Sequence, residues 1–174
     1  GAVYAKSAGF SVTEISLFMS AALWGGAICQ WPIGALSDRF DRRFILTAVT
    51  FLAGVVSLIY VTVLPGNGLK TFLLIGLFGG LTLPMYSLNL AFINDHLQPE
   101  QMVAASSTMI LVSGLGAVSG PVVSGAAMSA LGPMGLFVVL AIVHILLGMF
   151  ALFRMPSRPP IPMDKQKPAV YVPR

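Results

Sequence analysis

The sequence predicts an all-α membrane protein, a polytopic helical bundle with about five transmembrane helices. Three observations predict it. Of 174 residues, 56% are hydrophobic and only 9% are Asp, Glu, Lys or Arg, where soluble domains carry about 25% charged residues. The mean hydropathy is +0.88, so lipid rather than water is the solvent that suits this surface. Five apolar stretches each reach the roughly 20 residues that a helix needs to cross about 30 Å of hydrocarbon. Backbone groups in lipid must be paired within their own segment, which makes these stretches helices. A membrane barrel would show shorter, alternating strands.

The first span is expected from about 15 to 36, where "ISLFMSAALWGGAICQWPIGAL" ends on a charged knot. The second runs from 44 to 64 and stops before "PGNGLK", a turn by composition. The third, 71 to 93, ends at "NDHLQPEQ". Pro99 there suits a first helical position and Glu100 the positive end just after it. The fourth, 102 to 128, is rich in Gly and Ser, and the fifth, 134 to 153, follows "ALGPMG". Residues 1–155 thus form the transmembrane bundle. Residues 156–174, "PSRPPIPMDKQKPAVYVPR", are Pro-rich and polar and read as an extended or disordered tail. Gly1 is read as a truncation point inside a larger membrane protein, a processed terminus being the alternative.

Charge sets the orientation. Arg39, Arg42, Arg43, Arg154, Arg158, Lys165, Lys167 and Arg174 collect on one side, and Lys6 and Lys70 on the other. The positive-inside rule assigns the richer side, and the C-terminus with it, to the cytoplasm of a plasma (inner) membrane. The net charge of +4 does not point to nucleic acid, because the basic residues do not line an amphipathic face with interleaved aromatics. The lone Cys29 permits no disulfide and no thiolate metal site. There is no H-E-x-x-H, P-loop or serine elbow, and His96 and His144 lie too far apart to suggest a local metal site. No enzyme activity, metal or cofactor is implied.

Orientation does not explain Asp38 and Asp41, since acidic residues count little towards topology. They alternate with arginines that can pair with them, and Asp41 suits the N-cap of a helix starting at Arg42. The spelling of this knot carries a resemblance. Gly34-Ala-Leu-Ser-Asp38-Arg39-Phe-Asp-Arg42-Arg43 resembles the loop signature G-x-L-x-D-R-x-G-R-[RK] of the major facilitator superfamily. In that family the loop joins the second and third helices of each six-helix half on the cytoplasmic face. The resemblance implies a conformational switch. Asp38 would engage a helix end across the cytoplasmic seam, Arg39 and Arg42 would hold Asp38 or bridge a neighbouring helix end, and Gly34 would let helices approach. Asp41 stands where the family usually has Gly, and is expected to tolerate the left-handed turn that Gly would make there.

The fourth span carries Gly114, Gly116, Gly120, Pro121 and Gly125. Small residues at such spacing allow close helix packing in lipid, and Pro121 invites a kink. The run also looks like the G-x-x-x-G-P hinge element of facilitator antiporters. That element sits in the fifth helix of a first half, and the eleventh helix is its symmetry mate. The tail and "PMYSLNLAFINDHLQPEQMVAASS", which resembles the YcaD-like branch, favour a C-terminal half whose spans are helices eight to twelve. A first half is the alternative.

Polar side chains at membrane depth are candidates for solute contact. Tyr86 and Asn89 share a face of the third span, which the resemblance places beside a central cavity. An interhelical hydrogen bond, worth roughly 0.6–2 kcal/mol, is the competing role. Gln30 and Trp24 make a weaker case of the same kind, with Trp31. Asn94, Asp95 and His96 are read as an inner-gate or helix-end cluster, Glu14 as an exposed or helix-start carboxylate, and His144 as a neutral hydrogen-bonded side chain, with a proton relay as its alternative. The implied function is one part of a secondary active transporter moving an unknown small solute by alternating access. Its partners are the lipid bilayer and a missing N-terminal half. A non-transporting scaffold or helix-packing partner subunit is the alternative.

Overall fold

The structure, a computed structural model, describes residues 1–63 and 68–155. The expected tail at 156–174, with its Arg158, Lys165, Lys167 and Arg174, lies outside the described residues, as does part of the expected turn at 65–70. The fold is all-α. Its helices are α1 (Ala2–Ser7), α2 (Val12–Arg39), α3 (Arg42–Val63), α4 (Leu69–Thr82), α5 (Met85–Asn94), α6 (Met102–Leu131) and α7 (Gly135–Arg154), with a short 3₁₀ turn at Pro99–Gln101 before α6. Among the described residues, five helical segments are long and apolar enough to cross a membrane: α2, α3, α4 with α5, α6 and α7.

The first span starts earlier than its apolar residues alone suggest because Ser11 and Glu14 form a capping box. Glu14 N–H donates to Ser11 Oγ at 3.3 Å, and Ser11 N–H donates to Glu14 Oε2 at 2.8 Å. Two otherwise orphaned donors are satisfied, and the carboxylate sits at the positive end of the helix. Gly9, at φ +84°, makes the reversal between α1 and α2 that a residue with a Cβ would resist.

The third span is not the single helix expected over 71–93. It breaks at Leu83-Pro84 into α4 and α5. Leu83 N–H still reaches Gly79 O at 3.0 Å, and Leu88 N–H reaches Pro84 O at 3.0 Å. Pro84 has no N–H to continue the ladder, and its ring crowds the preceding turn. By contrast, α2 runs on through Pro32 and α6 through Pro121.

Two pairs of helices make the most extensive contacts, α2 with α4 and α3 with α7. Both seams depend on glycine. A Cβ on Gly25 would run into the carbonyl of Gly76, one on Gly79 into the carbonyl of Ala22, and one on Gly80 would lie 2.7 Å from Cys29 Sγ. Across the other seam, a Cβ on Gly54 would lie 2.7 Å from Ile145 Cγ1 and one on Gly148 3.1 Å from Phe51 Cβ. Lipid offers little hydrophobic drive for helix association, so close backbone approach and the dispersion contacts it permits hold such seams.

At the end of the bundle remote from the charged knot, Tyr4 of α1 packs in a buried cluster with Phe10, Phe18, Tyr60 and Phe137. Tyr60 and Phe137 stack at 3.8 Å, and Tyr4 meets Phe137 edge-on at 4.9 Å. Each such pair adds about 0.5–1.5 kcal/mol beyond area burial. The cluster joins α1, α2, α3 and α7 through residues far apart in sequence.

α6 behaves differently. It contacts mainly α7 and buries none of its residues. Four of its hydroxyls bond to their own helix: Ser107, Thr108, Ser119 and Ser129 each donate to the carbonyl four residues back.

Candidate functional site

The site begins at the junction of α2 and α3. Phe40 ends α2 in an extended conformation, at φ −124° and ψ 170°. Asp41 then caps α3: Arg43 N–H donates to Asp41 Oδ1 at 3.0 Å. The expected left-handed turn at Asp41 is absent, since no described residue other than glycine has positive φ. Asp41 solves the corner as a helix cap rather than as a stand-in for glycine. Its carboxylate also takes a forked contact from Arg43, with Nε at 3.2 Å and Nη2 at 2.8 Å. The Arg43 guanidinium, then its backbone N–H, hold the Asp41 carboxyl below the usual carboxylate range, against an opposing effect of burial. Arg43 Nη1 also donates to Met155 O at 3.4 Å, placing a cation at the negative end of α7.

Arg42 points the other way, into the bundle. Its Nη2 donates to Asp38 Oδ1 at 2.7 Å, one turn back across the corner. Its Nη1 donates to Asp95 Oδ2 at 2.8 Å, at the end of α5. The Arg42 and Asp95 side chains are each 2% exposed, and that of Asp38 is 30% exposed. A single planar guanidinium therefore ties the α2–α3 corner to the end of the broken third span. Arg can do this because its donors diverge from a rigid plane, which a Lys ammonium does not reproduce. Isolated charges would not survive such burial, so Arg42 and Asp95 depend on one another, and Asp38 adds a second, partly exposed acceptor.

Beside this triad, Gly34 is buried, and buried Ser37 donates its Oγ to Gly34 O at 2.8 Å. Arg39 is exposed on the last turn of α2. His96 is exposed next to Asp95, its Nδ1 2.9 Å from Phe92 O. No group of three or more His, Cys, Asp or Glu side chains suited to a metal comes together among the described residues.

Residues 2–173 match the sequence profile of the Major Facilitator Superfamily. The chain belongs to that superfamily. It is 29% identical over 137 residues to a Bacillus subtilis protein named "Uncharacterized MFS-type transporter YfkF", covering 78% of this chain and 34% of the relative. It is 27% identical over 160 residues to "Uncharacterized MFS-type transporter YE1530" of Yersinia enterocolitica, covering 92% of this chain and 40% of the relative. It is 28% identical over 144 residues to "Uncharacterized MFS-type transporter YcaD" of Escherichia fergusonii, covering 83% and 36%. The chain thus spans little more than a third of the length of these relatives. No solved structure matches it.

This facilitator-family chain brings together some of the residues singled out in sequence and leaves others apart. Asp38, Arg42 and Asp95 meet. Arg43 meets Asp41 and the end of α7, while Arg39 makes no ion pair among the described residues. Trp24, Ile28 and Trp31 are 69%, 67% and 74% exposed, so they form one outward face of α2, and Gln30 is exposed beside Trp31. Tyr86 is 45% exposed on α5, and Asn89 donates its Nδ2 to Met85 O of its own helix at 2.8 Å rather than to a neighbouring helix. A Cβ added to Gly114, Gly116, Gly120 or Gly125 would have nothing within 4 Å, so the glycine run of α6 packs on no other described helix. His144 lies half-buried with Nδ1 2.7 Å from Leu140 O and its ring edge-on to Phe78. The glycines packed between α2 and α4, Gly25, Gly76, Gly79 and Gly80, escaped sequence reasoning. Their signal was available as small residues at three- and four-residue spacing in the first and third spans.

Proposed function

We propose that this chain supplies helices eight to twelve of a secondary active transporter in the inner membrane, with its C-terminus cytoplasmic. Such a transporter moves a small solute by alternating access, two helical bundles rocking about a site near the bilayer midplane. The observation that carries the reading is the Arg42 bridge between Asp38 and Asp95. It couples the corner of the switch loop to the end of α5, the half of the broken span that bears Tyr86 and Asn89. A displacement of one is then felt by the other, because a buried ion pair either holds or breaks.

The apolar faces of α2 and α6 fit the same reading. Trp24, Trp31, Leu111, Leu115 and Val118 are all more than half exposed, and the glycines of α6 lie open beside them. Together with Gln30, Tyr86 and Asn89, these surfaces are offered to the other half of the transporter and to the solute between the halves.

The test is transport by the whole protein. Once an uptake or efflux screen has found a solute, Asp38→Asn should impair its movement while leaving membrane expression mostly intact. Unchanged transport by that variant would reduce the loop to a topology signal. The present chain alone, reconstituted in vesicles, should move no solute.

A further inference from the structure

At the end of the bundle that holds the charged corner, α3, α5 and α7 leave a cleft of about 210 Å³. Its walls include Leu46, Phe92, Phe150 and Ala151, and Arg43 and Arg154 stand among them. The two arginines differ. Arg43 is engaged by the Asp41 carboxylate and by Met155 O. Arg154 is exposed on the last turn of α7, and no carboxylate among the described residues pairs with it. The aspartates of this corner are already engaged, Asp38 and Asp95 with Arg42 and Asp41 with Arg43. The cleft therefore combines an apolar trough with a guanidinium that no carboxylate among the described residues pairs, at the end of helices long enough to cross a bilayer. Beyond it α7 continues as an exposed apolar face through Leu146, Met149 and Phe153.

A ligand matching both features has a negatively charged headgroup joined to an acyl chain. We infer that this cleft seats an anionic phospholipid, with its phosphate on Arg154 and the start of one acyl chain along Phe92 and Phe150. A guanidinium pairs a phosphate through two parallel N–H bonds, which favours Arg154 over a simple cloud of positive charge. The rest of the chain follows the outer face of α7. Neither contact depends on transport, so the site can be tested whether or not the protein's solute is known.

The experiment is native mass spectrometry of the detergent-purified protein. The probes are 1-palmitoyl-2-oleoyl phosphatidylglycerol, the matching phosphatidylcholine, and water-soluble glycerol phosphate. Phosphatidylglycerol should bind in preference to phosphatidylcholine, and glycerol phosphate should not bind. Arg154→Gln should weaken phosphatidylglycerol binding by about fivefold, the effect of one basic residue on an anionic lipid. Arg154→Lys should restore part of it. Ala151→Trp, which fills the trough and keeps Arg154, should weaken both lipids, and Lys70→Gln at the far end of the bundle should change neither. Four outcomes each overturn the inference: equal binding of the two lipids, no lipid binding at all, an Arg154→Gln variant that binds as the parent does, or equal losses in Lys70→Gln and Arg154→Gln. Glycerol phosphate binding as tightly as the lipid would likewise overturn it, by assigning the site to a free phosphate.

Discussion

Arg42 Nη1 reaches Asp95 Oδ2 at 2.8 Å across 53 residues of chain, with both side chains all but sealed from the surface. This contact closes the charged end of the bundle. The residue next to Arg42 in sequence, Arg43, serves a separate carboxylate and a separate helix end. Adjacent arginines of one motif thus have divided roles. One is buried and ties the corner to α5, and the other is half-buried and ties it to α7.

Arg42→Met should destabilise the protein by about 3–5 kcal/mol, because it strands the buried Asp95 carboxylate without its partner. The combined variant Arg42→Met, Asp38→Asn, Asp95→Asn should recover much of that loss. Thermal unfolding in detergent measures both. Equal stability of the single and triple variants would show that the carboxylates do not depend on Arg42.

The Asp41–Arg43 pair should impose an acid-side dependence on stability. The folded state lowers the carboxyl pKa of Asp41, so its contribution is fully present above the unfolded value of about 3.9. That contribution fades as pH falls through the lower folded value. Asp41→Asn keeps a capping side chain but has no charge to titrate, so its melting temperature should depend less on pH between 5 and 2. A parallel pair of curves for parent and variant would exclude this role.

The glycine seams should separate cleanly from the glycine run. Gly79→Leu places a side chain against the carbonyl of Ala22. Overpacking of that kind costs typically 1–3 kcal/mol or more. Gly120→Ala meets open space and should be neutral or stabilise the purified chain by up to about 1 kcal/mol, from helix propensity. If α6 lies against a second half in the assembled transporter, the same Gly120→Ala should lower transport there. Measuring unfolding and transport on the two variants distinguishes these effects.

The buried aromatic cluster should carry more stability than the exposed aromatic at the end of α7. Phe137, 1% exposed and stacked on Tyr60, should cost about 3–5 kcal/mol on replacement by alanine. Phe153, 79% exposed, should cost less than about 1 kcal/mol in detergent. Similar losses at the two positions would contradict the packing described here.

The number of spans, the fold class and the membrane character were legible in the sequence because each rests on local quantities. A run of some twenty apolar residues is helical in lipid whatever its neighbours are. The capping roles of Glu14 and Asp41 were equally local, as were the helix starts they determine. The break at Pro84 was present as a single residue, but Pro32 and Pro121 bear the same letter inside continuous helices. Proline removes one backbone bond in every case, and the surrounding packing decides whether the helix parts there.

By itself, then, the sequence determined five apolar spans, a charged corner with the spelling of a facilitator loop, and a glycine-rich fourth span. Tertiary structure alone decided which charge meets which: that Arg42 takes Asp95, that Arg43 takes the end of α7, and that the close-packed glycines lie between α2 and α4 and between α3 and α7. The physical reason is range. Backbone hydrogen bonds and hydropathy act within a few residues of chain. Ion pairs and close backbone contacts join residues that are neighbours only once the helices have packed.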